Sequence, residues 1–246
     1  MNLPRVIILA AGQGSRLGPL FGDLPKPLAP FGSESLLQRN LRQLQEAGFT
    51  DITVVVGYKA ELMESVIRLK HPEVRLVHNP RYAEDKNILS LLLGLNESLE
   101  PVLLVEGDVA FSDLSFLRLR FATRQGASFW SANGAFNPDQ MGVILKPDED
   151  DHLVDIRYET YDRKYQAYLK NLGGMYIGAR EMPTFHRLLK QRASAGFDVC
   201  FFTVWIDHQQ QLPARVFDLG RLGGASFNTP EEYRRTLRLV LQQNDL

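Results

Sequence analysis

The sequence predicts an α/β fold in which a mostly parallel, mixed sheet is flanked by helices. Over about the first 119 residues, short continuous apolar runs alternate with segments of helical apolar spacing. Continuous apolar runs are typical of strands covered on both faces, and their alternation with helices favours a parallel sheet. The chain has 246 residues and a hydrophobic fraction of 44%, which suffice for a sizeable core.

The first half contains four predicted strands and three predicted helices. The strands are expected at 5–9, 51–56, 74–77 and 102–105, and the helices at 33–47, 58–69 and 87–95. In the first of these helices, Leu37, Leu41 and Leu44 recur at the spacing that places side chains on one helix face.

The second half departs from this alternation. Strands are expected at 127–131, 142–145, 153–158 and 174–177, and helices only at 182–192 and 230–242. Strands without long helices between them predict a mixed, partly antiparallel region. No repeat, low-complexity tract or linker interrupts the chain, so we expect one domain.

Composition and charge indicate the compartment of the protein and the classes of partner that it is not expected to bind. The formal net charge is −1, which predicts no general attraction to nucleic acid or to membranes. No apolar run is long enough to span a bilayer, and the N-terminal segment is not typical of a secretory signal. The single cysteine, Cys200, forms no intrachain disulfide, as is common in a reducing compartment. We therefore expect a cytoplasmic protein.

The first strand runs into a glycine-rich stretch, ILAAGQGSRLG at 8–18. Because glycine lets backbone N–H groups crowd around a ligand, this stretch predicts a phosphate-binding loop. A P-loop needs a lysine directly after its last glycine, but here Pro19 follows Gly18, so the stretch does not match a P-loop. A dinucleotide-binding fingerprint needs a third glycine, but Leu17 stands there. It also needs an acid after the second strand, but the chain continues there as Val56, Gly57 and Tyr58, so this fingerprint does not match either.

A second motif, PKPL at 25–28, follows the loop after a short gap. The pair resembles the signature of the nucleotidyltransferases that make sugar nucleotides and CDP-alcohols. The matching residues are Leu9, Ala10, Ala11, Gly12, Gly14, Ser15, Arg16, Leu17, Pro25, Lys26, Pro27 and Leu28. The resemblance implies one Rossmann-like nucleotidyltransferase domain over 1–246, with a nucleotide-binding half at 1–120 and an acceptor-binding half at 121–246.

The chemistry of these residues suits nucleotide binding. The small side chains of Ala10 and Ala11 let the backbone approach a nucleobase and a ribose, beside Leu9. Gly12, Gly14 and Ser15 are expected to surround phosphate oxygens. By the resemblance, Arg16 holds the leaving pyrophosphate with its planar guanidinium group. Lys26 lies between two prolines that stiffen its backbone, and it is expected to stabilise the charge that develops at the α-phosphorus.

The resemblance also implies a Mg²⁺ site. Asp108 follows the fourth strand, at the sheet edge where open α/β folds bind ligands, and carboxylates are preferred Mg²⁺ ligands. The family usually supplies a second aspartate near the C-terminus, and Asn228 stands there. Asparagine offers an oxygen without a charge, so we expect weaker metal binding unless another acid, Asp207 or Asp218, compensates. Glu106 either orients the base or Lys26, or is only an edge residue.

The segment at 79–95 points to one branch of the family. It resembles the corresponding segment of the phosphocholine and 2-aminoethylphosphonate cytidylyltransferases. The matching residues are Asn79, Pro80, Tyr82, Asn87, Ser90 and Leu91, while Lys86 replaces the first asparagine of a pair. The EGD at 106–108 is also typical of that branch. The resemblance therefore favours CTP as the nucleotide, with Asn87 among its binding residues.

The acceptor pocket is expected in the second half, around Trp130, Tyr158, Glu159 and Tyr176. An aromatic cage there would bind choline through cation–π contacts. Acids, among them Glu159, would instead bind a primary amine, and basic residues at 157, 163 and 164 would bind an anion. The expected reaction transfers CMP from CTP to a small phosphorylated or phosphonylated acceptor. A sugar-1-phosphate nucleotidyltransferase and, because of Asn228, a non-catalytic nucleotide sensor are the alternatives.

Overall fold

The computed structural model describes residues 3–14, 18–138, 140–220 and 223–241. It contains a nine-stranded sheet and two small two-stranded sheets. The strands are β1 (Arg5–Ala10), β2 (Pro30–Phe31), β3 (Glu34–Ser35), β4 (Ile52–Val56), β5 (Arg75–His78), β6 (Val102–Glu106), β7 (Val109–Phe111), β8 (Phe129–Ala135), β9 (Met141–Pro147), β10 (Leu153–Thr160), β11 (Leu169–Ile177), β12 (Arg215–Asp218) and β13 (Gly224–Ser226).

Helices lie between and after these strands. They are α1 (Gly18–Phe21), α2 (Leu36–Glu46), α3 (Ala60–Lys70), α4 (Ile88–Leu95), α5 (Ser115–Thr123), α6 (Met182–Ser194), α7 (Phe202–His208) and α8 (Pro230–Leu241). In the described part of the chain, no helix is long and apolar enough to cross a membrane.

The large sheet has the order β10-β9-β11-β6-β1-β4-β5, with β8 paired to both β11 and β12. Strand β1 is central and runs parallel to β4 and β6. Strand β11 is antiparallel to β6, β8 and β9, and β10 is antiparallel to β9. Only β10 and β11 therefore run against the other seven strands, and the predicted α/β fold with a mixed, mostly parallel sheet is confirmed.

Helices cover both faces of the large sheet, as the continuous apolar strands predict. One face packs against α2, α3 and α5, through side chains such as Leu41, Ile67 and Phe116. The other face packs against α4, α6 and α7, through side chains such as Leu91 and Phe185. Because both faces are buried, ligands have access to the parallel strands mainly at their carboxyl ends.

Among the elements that differ from the sequence prediction are three helices. Helix α2 begins at Leu36 rather than at 33, because Ser35 caps it and its side chain forms a capping box with Gln38. Helix α5 was not predicted, since its apolar residues lie on two sides and Leu117 and Phe121 are exposed. Helix α7 was also missed, because its seven residues are too few to show a period.

Candidate active site

A cleft of about 340 Å³ opens at the carboxyl edge of the parallel strands. Its walls come from the end of β1 and the loop after it, the turn at 26–27, the start of α4 and the end of β6, with Tyr158, Cys200 and Phe202 contributed by the second half. Of the predicted site residues, the cleft is lined by Leu9, Ala10, Ala11, Gly12, Gly14, Lys26, Asn87, Asp108 and Tyr158. Ser15 and Arg16 lie outside the described residues.

Lys26 lies at the bottom of the cleft. It begins a short 3₁₀ turn, Lys26–Leu28, and is only 5% exposed. Its ammonium donates hydrogen bonds to Asp108 Oδ2 at 2.7 Å and to Asn228 Oδ1 at 3.3 Å, and lies 4.8 Å from the centre of the Phe227 ring. Three residues that are far apart in sequence thus meet at one point.

Asp108 is positioned by the strands on either side of it. The pairing of β6 with β1 continues to Gly107, whose N–H donates to Leu9 O at 2.9 Å. On the other side, the Asn40 amide of α2 donates to Val109 O at 2.8 Å. The side chain of Asp108 remains 43% exposed, so the backbone is fixed while the carboxylate is open to a ligand.

Asn228 is held at the site by the start of helix α8. Thr229 Oγ1 accepts the backbone N–H of Glu232 at 3.2 Å, and the Glu232 carboxylate accepts those of Asn228 at 2.5 Å and Thr229 at 3.2 Å. This reciprocal capping fixes the first turn of the helix. Strand β7 begins just after Asp108, and strand β13 ends two residues before Asn228. Because β7 and β13 pair with each other, both candidate ligands flank the same small sheet.

The donor set at this point fits Mg²⁺. Asp108 and Asn228 direct oxygens toward the same cationic atom, the Lys26 ammonium. The described residues contain no group of three His, Cys, Asp or Glu side chains placed to hold a metal ion. Mg²⁺ in phosphate-transfer sites is commonly held by one or two carboxylates and by substrate phosphates, so a sparse protein set is compatible with it.

The two acids considered as substitutes for the missing aspartate lie elsewhere. Asp218 ends strand β12, and its carboxylate accepts the backbone N–H groups of Gly134 and Gly220, each at 2.9 Å. Asp207 lies on helix α7 and does not line the cleft. Neither replaces the carboxylate that Asn228 lacks.

Glu106, which the sequence left undecided, lines the cleft at the end of β6. Burial raises the pKa of Glu106 to about 7, and the nearby Asp108 charge acts in the same direction, while Lys170 and Lys26 oppose it. Its carboxylate lies directly over Gly173: a Cβ atom there would come 2.8 Å from Glu106 Oε2. Glu106 is therefore a feature of the cleft and not a surface edge residue.

The motif at 79–95 forms a hydrogen-bond network around the start of α4. Asp85 accepts the backbone N–H groups of Leu89 and Ser90 at 3.0 and 2.8 Å, and it also accepts the Asn79 amide at 2.9 Å. The Asn87 carboxamide oxygen accepts the N–H of Phe201 at 2.7 Å. Asn87 lines the cleft and also ties the segment before α7 to it.

The four predicted acceptor residues are not brought together. Tyr158 lines the cleft, with its ring stacked 5.4 Å from that of Phe202. Glu159, the next residue on β10, does not line it. Trp130 is 1% exposed among Phe201 and Trp205, and Tyr176 is 5% exposed.

The predicted positions of Trp130 and Tyr176 therefore require correction. Both were expected in the acceptor pocket, but Tyr176 packs on the sheet face covered by α2, α3 and α5, and Trp130 is enclosed in the core on the other face. Phe202 and Cys200, by contrast, line the cleft and were not predicted. Their only sequence signal is aromatic and apolar content, which core residues share.

A scan against protein families matches the MobA-like NTP transferase domain at residues 6–172. This match covers more than half of the chain and includes the glycine-rich loop, Lys26 and Asp108. The chain belongs to this family.

Three curated relatives of this NTP transferase chain are named for different substrates. CMP-5'-(3-aminopropyl)phosphonate synthase of Streptomyces rubellomurinus is 31% identical over 206 residues, 78% of this chain and 32% of the relative. Choline-phosphate cytidylyltransferase of Streptococcus pneumoniae is 36% identical over 104 residues, 42% of this chain and 44% of the relative. Mannose-1-phosphate guanyltransferase of Candida albicans is 27% identical over 231 residues, 82% of this chain and 60% of the relative. The chain thus matches only part of each relative's length.

A solved structure agrees with the fold. The CTP:phosphocholine cytidylyltransferase from Streptococcus pneumoniae superposes with a TM-score of 0.83 at 23% identity, covering 97% of this chain and 99% of that one. The resemblance deduced from the motifs and the nucleotidyltransferase fold are thereby confirmed.

Proposed function

We propose that this NTP transferase domain is a Mg²⁺-dependent cytidylyltransferase that transfers CMP from CTP to a small phosphorylated or phosphonylated acceptor. The observation that carries the proposal is that Asp108 Oδ2 and Asn228 Oδ1 both lie within 3.3 Å of the Lys26 ammonium nitrogen, beside the glycine-rich loop. The relatives named for CMP-phosphonate synthesis and choline-phosphate cytidylyl transfer support the choice of cytidylyl transfer.

The reaction needs positioning and charge stabilisation but no covalent enzyme intermediate. An acceptor phosphate or phosphonate oxygen attacks the α-phosphorus of CTP, and the bond from that phosphorus to the bridging oxygen of the β-phosphate breaks. Pyrophosphate leaves with the bond electrons, and no proton transfer is required because the attacking oxygen is already ionised. The products are pyrophosphate and an acceptor that carries CMP.

The described residues take distinct parts in this step. Backbone N–H groups around Gly12 and Gly14 bind phosphate oxygens, where Gly14 has a φ of +66° that glycine adopts without strain. The Lys26 ammonium leaves its pair with Asp108 and stabilises the negative charge on the α-phosphate oxygens. Asp108 and Asn228 would hold Mg²⁺, which would neutralise phosphate charge when bound.

Two other functions are each favoured by one observation. The guanyltransferase relative aligns over more of this chain than the cytidylyltransferase does, which favours a sugar-1-phosphate nucleotidyltransferase. Asn228 in place of an acidic ligand favours a nucleotide sensor without turnover, because weaker metal binding would slow transfer while leaving nucleotide binding possible.

Pyrophosphate release separates the three functions. The protein is incubated with Mg²⁺ and each of CTP, UTP, GTP and ATP, against phosphocholine, 2-aminoethylphosphonate and a panel of sugar 1-phosphates. Turnover with CTP and an alkyl phosphate or phosphonate is expected. Turnover only with sugar 1-phosphates refutes cytidylyl transfer to a small alkyl acceptor, and saturable nucleotide binding without turnover across the panel supports the sensor.

A further inference from the structure

Glu106 is a carboxylate in the cleft that the transfer step does not use. It lies two residues before Asp108, near the buried ammonium of Lys26. Lys26 forms its ion pair with Asp108, at 2.7 Å. No described residue forms an ion pair with Glu106 within 4.0 Å or donates a hydrogen bond to it. Glu106 is partly exposed and lines the cleft, so its carboxylate oxygens are open to a hydrogen-bond donor on a ligand.

The second nearby cation, Lys170, does not fill this role. Its ammonium is directed at backbone oxygens, 3.4 Å from Val143 O and 3.5 Å from Asn171 O. The approach of Lys170 is made possible by Gly142, because a Cβ atom there would lie 2.7 Å from the ammonium. Lys170 thus adds positive potential near Glu106 without occupying its oxygens.

The aromatic residues of the cleft do not form a cage around Glu106. Tyr158 and Phe202 are stacked nearly parallel, 9° apart, so one face of each ring is covered by the other. Tyr82 lies at the opposite end, packed on Gly57 at the end of β4, and strands β6 and β1 separate it from the second half. Trp130 and Tyr176 are in the core. A quaternary ammonium is usually bound by several ring faces.

We propose that Glu106 binds a primary ammonium group of the acceptor, so that the preferred acceptor is an aminoalkyl phosphate or phosphonate and not its N-trimethyl form. This inference rests on the proposed function. A primary ammonium has three N–H donors and a full charge, and its hydrogen bonds to a carboxylate are charge-assisted. A trimethylammonium group has no N–H donor and is too bulky to approach the carboxylate as closely.

Gly173 is the local feature that makes room for Glu106. It has a φ of +94°, in the left-handed region, and any side chain there would collide with the Glu106 carboxylate. Glycine therefore serves both the backbone conformation and the position of the acid. The stacked Tyr158–Phe202 wall forms an apolar side for the alkyl linker between the ammonium and phosphorus.

The wild-type protein tests the inference without any variant. Initial rates of pyrophosphate release with CTP are measured for three matched acceptors: 2-aminoethyl phosphate, its N-trimethyl form and ethyl phosphate, and for the same series of phosphonates. We expect kcat/KM to be on the order of tenfold to a hundredfold higher for the primary amine than for the other two. Preference for the trimethyl or ethyl compound overturns the inference while the proposed function stands.

The variant Glu106→Gln keeps the shape of the side chain and removes its charge. We expect it to abolish the preference for the primary amine over the ethyl acceptor, through a rise in KM for the amine that the ethyl acceptor does not share, with the melting temperature retained. Glu149→Gln, at an exposed turn, serves as the control and should behave as wild type. An equal loss with all three acceptors overturns the inference, because Glu106 would then act on the nucleotide or the metal. Turnover with sugar 1-phosphates and none of these alkyl acceptors refutes the proposed function itself.

Discussion

Gly14 and Lys26 lie against each other in the lining of the cleft: a Cβ atom on Gly14 would lie 2.8 Å from the Cβ of Lys26 and 3.5 Å from its backbone nitrogen. The phosphate-binding loop and the lysine motif are thus fitted to each other as one unit. This contact explains why glycine is needed at 14 for a reason beyond its φ of +66°. A side chain at this position would displace the loop, the lysine or both.

We first predict that Gly14→Ala lowers kcat/KM for nucleotidyl transfer by about tenfold or more, since left-handed backbone costs a non-glycine residue about 1–2 kcal/mol and the new methyl group collides with Lys26. Gly126→Ala is the matched control, because Gly126 has a φ of +75° and open space around its Cβ position. Steady-state kinetics and thermal unfolding of both variants check this. Equal transfer activity in the two variants would contradict the role of the contact.

The second prediction concerns the charge of Lys26. Lys26→Ala should lower kcat on the order of 10²- to 10³-fold, as expected when a preorganised charge at the transition state is removed. The Kd for CTP should change much less, because other groups bind the nucleotide. Single-turnover rates and equilibrium titration separate the two effects, with the exposed Lys164→Ala as control. Unchanged turnover would remove Lys26 from the mechanism.

The third prediction concerns the metal ligand that the sequence lacks. Asn228→Asp should lower the Mg²⁺ concentration for half-maximal rate on the order of tenfold, because metal affinity rises with ligand charge. Mn²⁺ binding followed by electron paramagnetic resonance provides a readout besides activity. The exposed Asn96→Asp adds the same charge just after the end of α4, whose opposite end lines the cleft, and should have no effect. Unchanged Mn²⁺ affinity in Asn228→Asp would place the metal elsewhere.

The sequence was sufficient to predict that Gly14, Lys26 and Asp108 lie at one edge of the sheet. Gly14 and Lys26 lie in two contiguous motifs, and Asp108 follows a strand whose apolar run was unmistakable, so topology alone places them at one sheet edge. Asn228 was located only through the family resemblance, because 202 residues separate it from Lys26. Its position depends on the pairing of β13 with β7, which has no local sequence signal.

The acceptor half was less predictable for a physical reason. Strand alternation shows that Trp130 and Tyr176 lie on sheet faces, but strands β8 and β11 are buried on both faces at these positions. An aromatic residue on such a strand therefore packs in the core whichever way it points. Phe202 reaches the cleft because Asn87 binds the backbone of Phe201, a long-range contact that no spacing rule reveals.

The fourth prediction concerns pH and stability away from the site. His71 is 6% exposed, its ring lies 3.0 Å from Gln45 Oε1, and burial lowers its pKa despite the opposing charge of Glu73. The unfolded chain therefore binds the His71 proton more readily than the folded chain. Stability should fall as the pH drops below about 6.5, the ordinary histidine pKa, and level off below the folded-state pKa.

Urea unfolding at pH 7.5 and pH 5.5 measures this loss, and His71→Gln, which does not titrate, should reduce the difference between the two values. An undiminished difference in the variant would assign the pH dependence to other groups. Since His71 lies far from the cleft, at the end of helix α3, the CTP affinity of the variant should match that of wild type.

The fifth prediction uses Cys200, the one cysteine of the chain, as a reporter of the cleft. Burial raises the pKa of Cys200 to about 11, and the charge of Glu106 acts in the same direction. Because the thiolate is the reactive form, alkylation by iodoacetamide at pH 8 should be on the order of 100-fold slower in the folded protein than in urea. Since Cys200 lines the cleft beside Phe202, a bound acceptor should slow the reaction further, whereas equal rates with and without saturating acceptor would place the acceptor away from this wall.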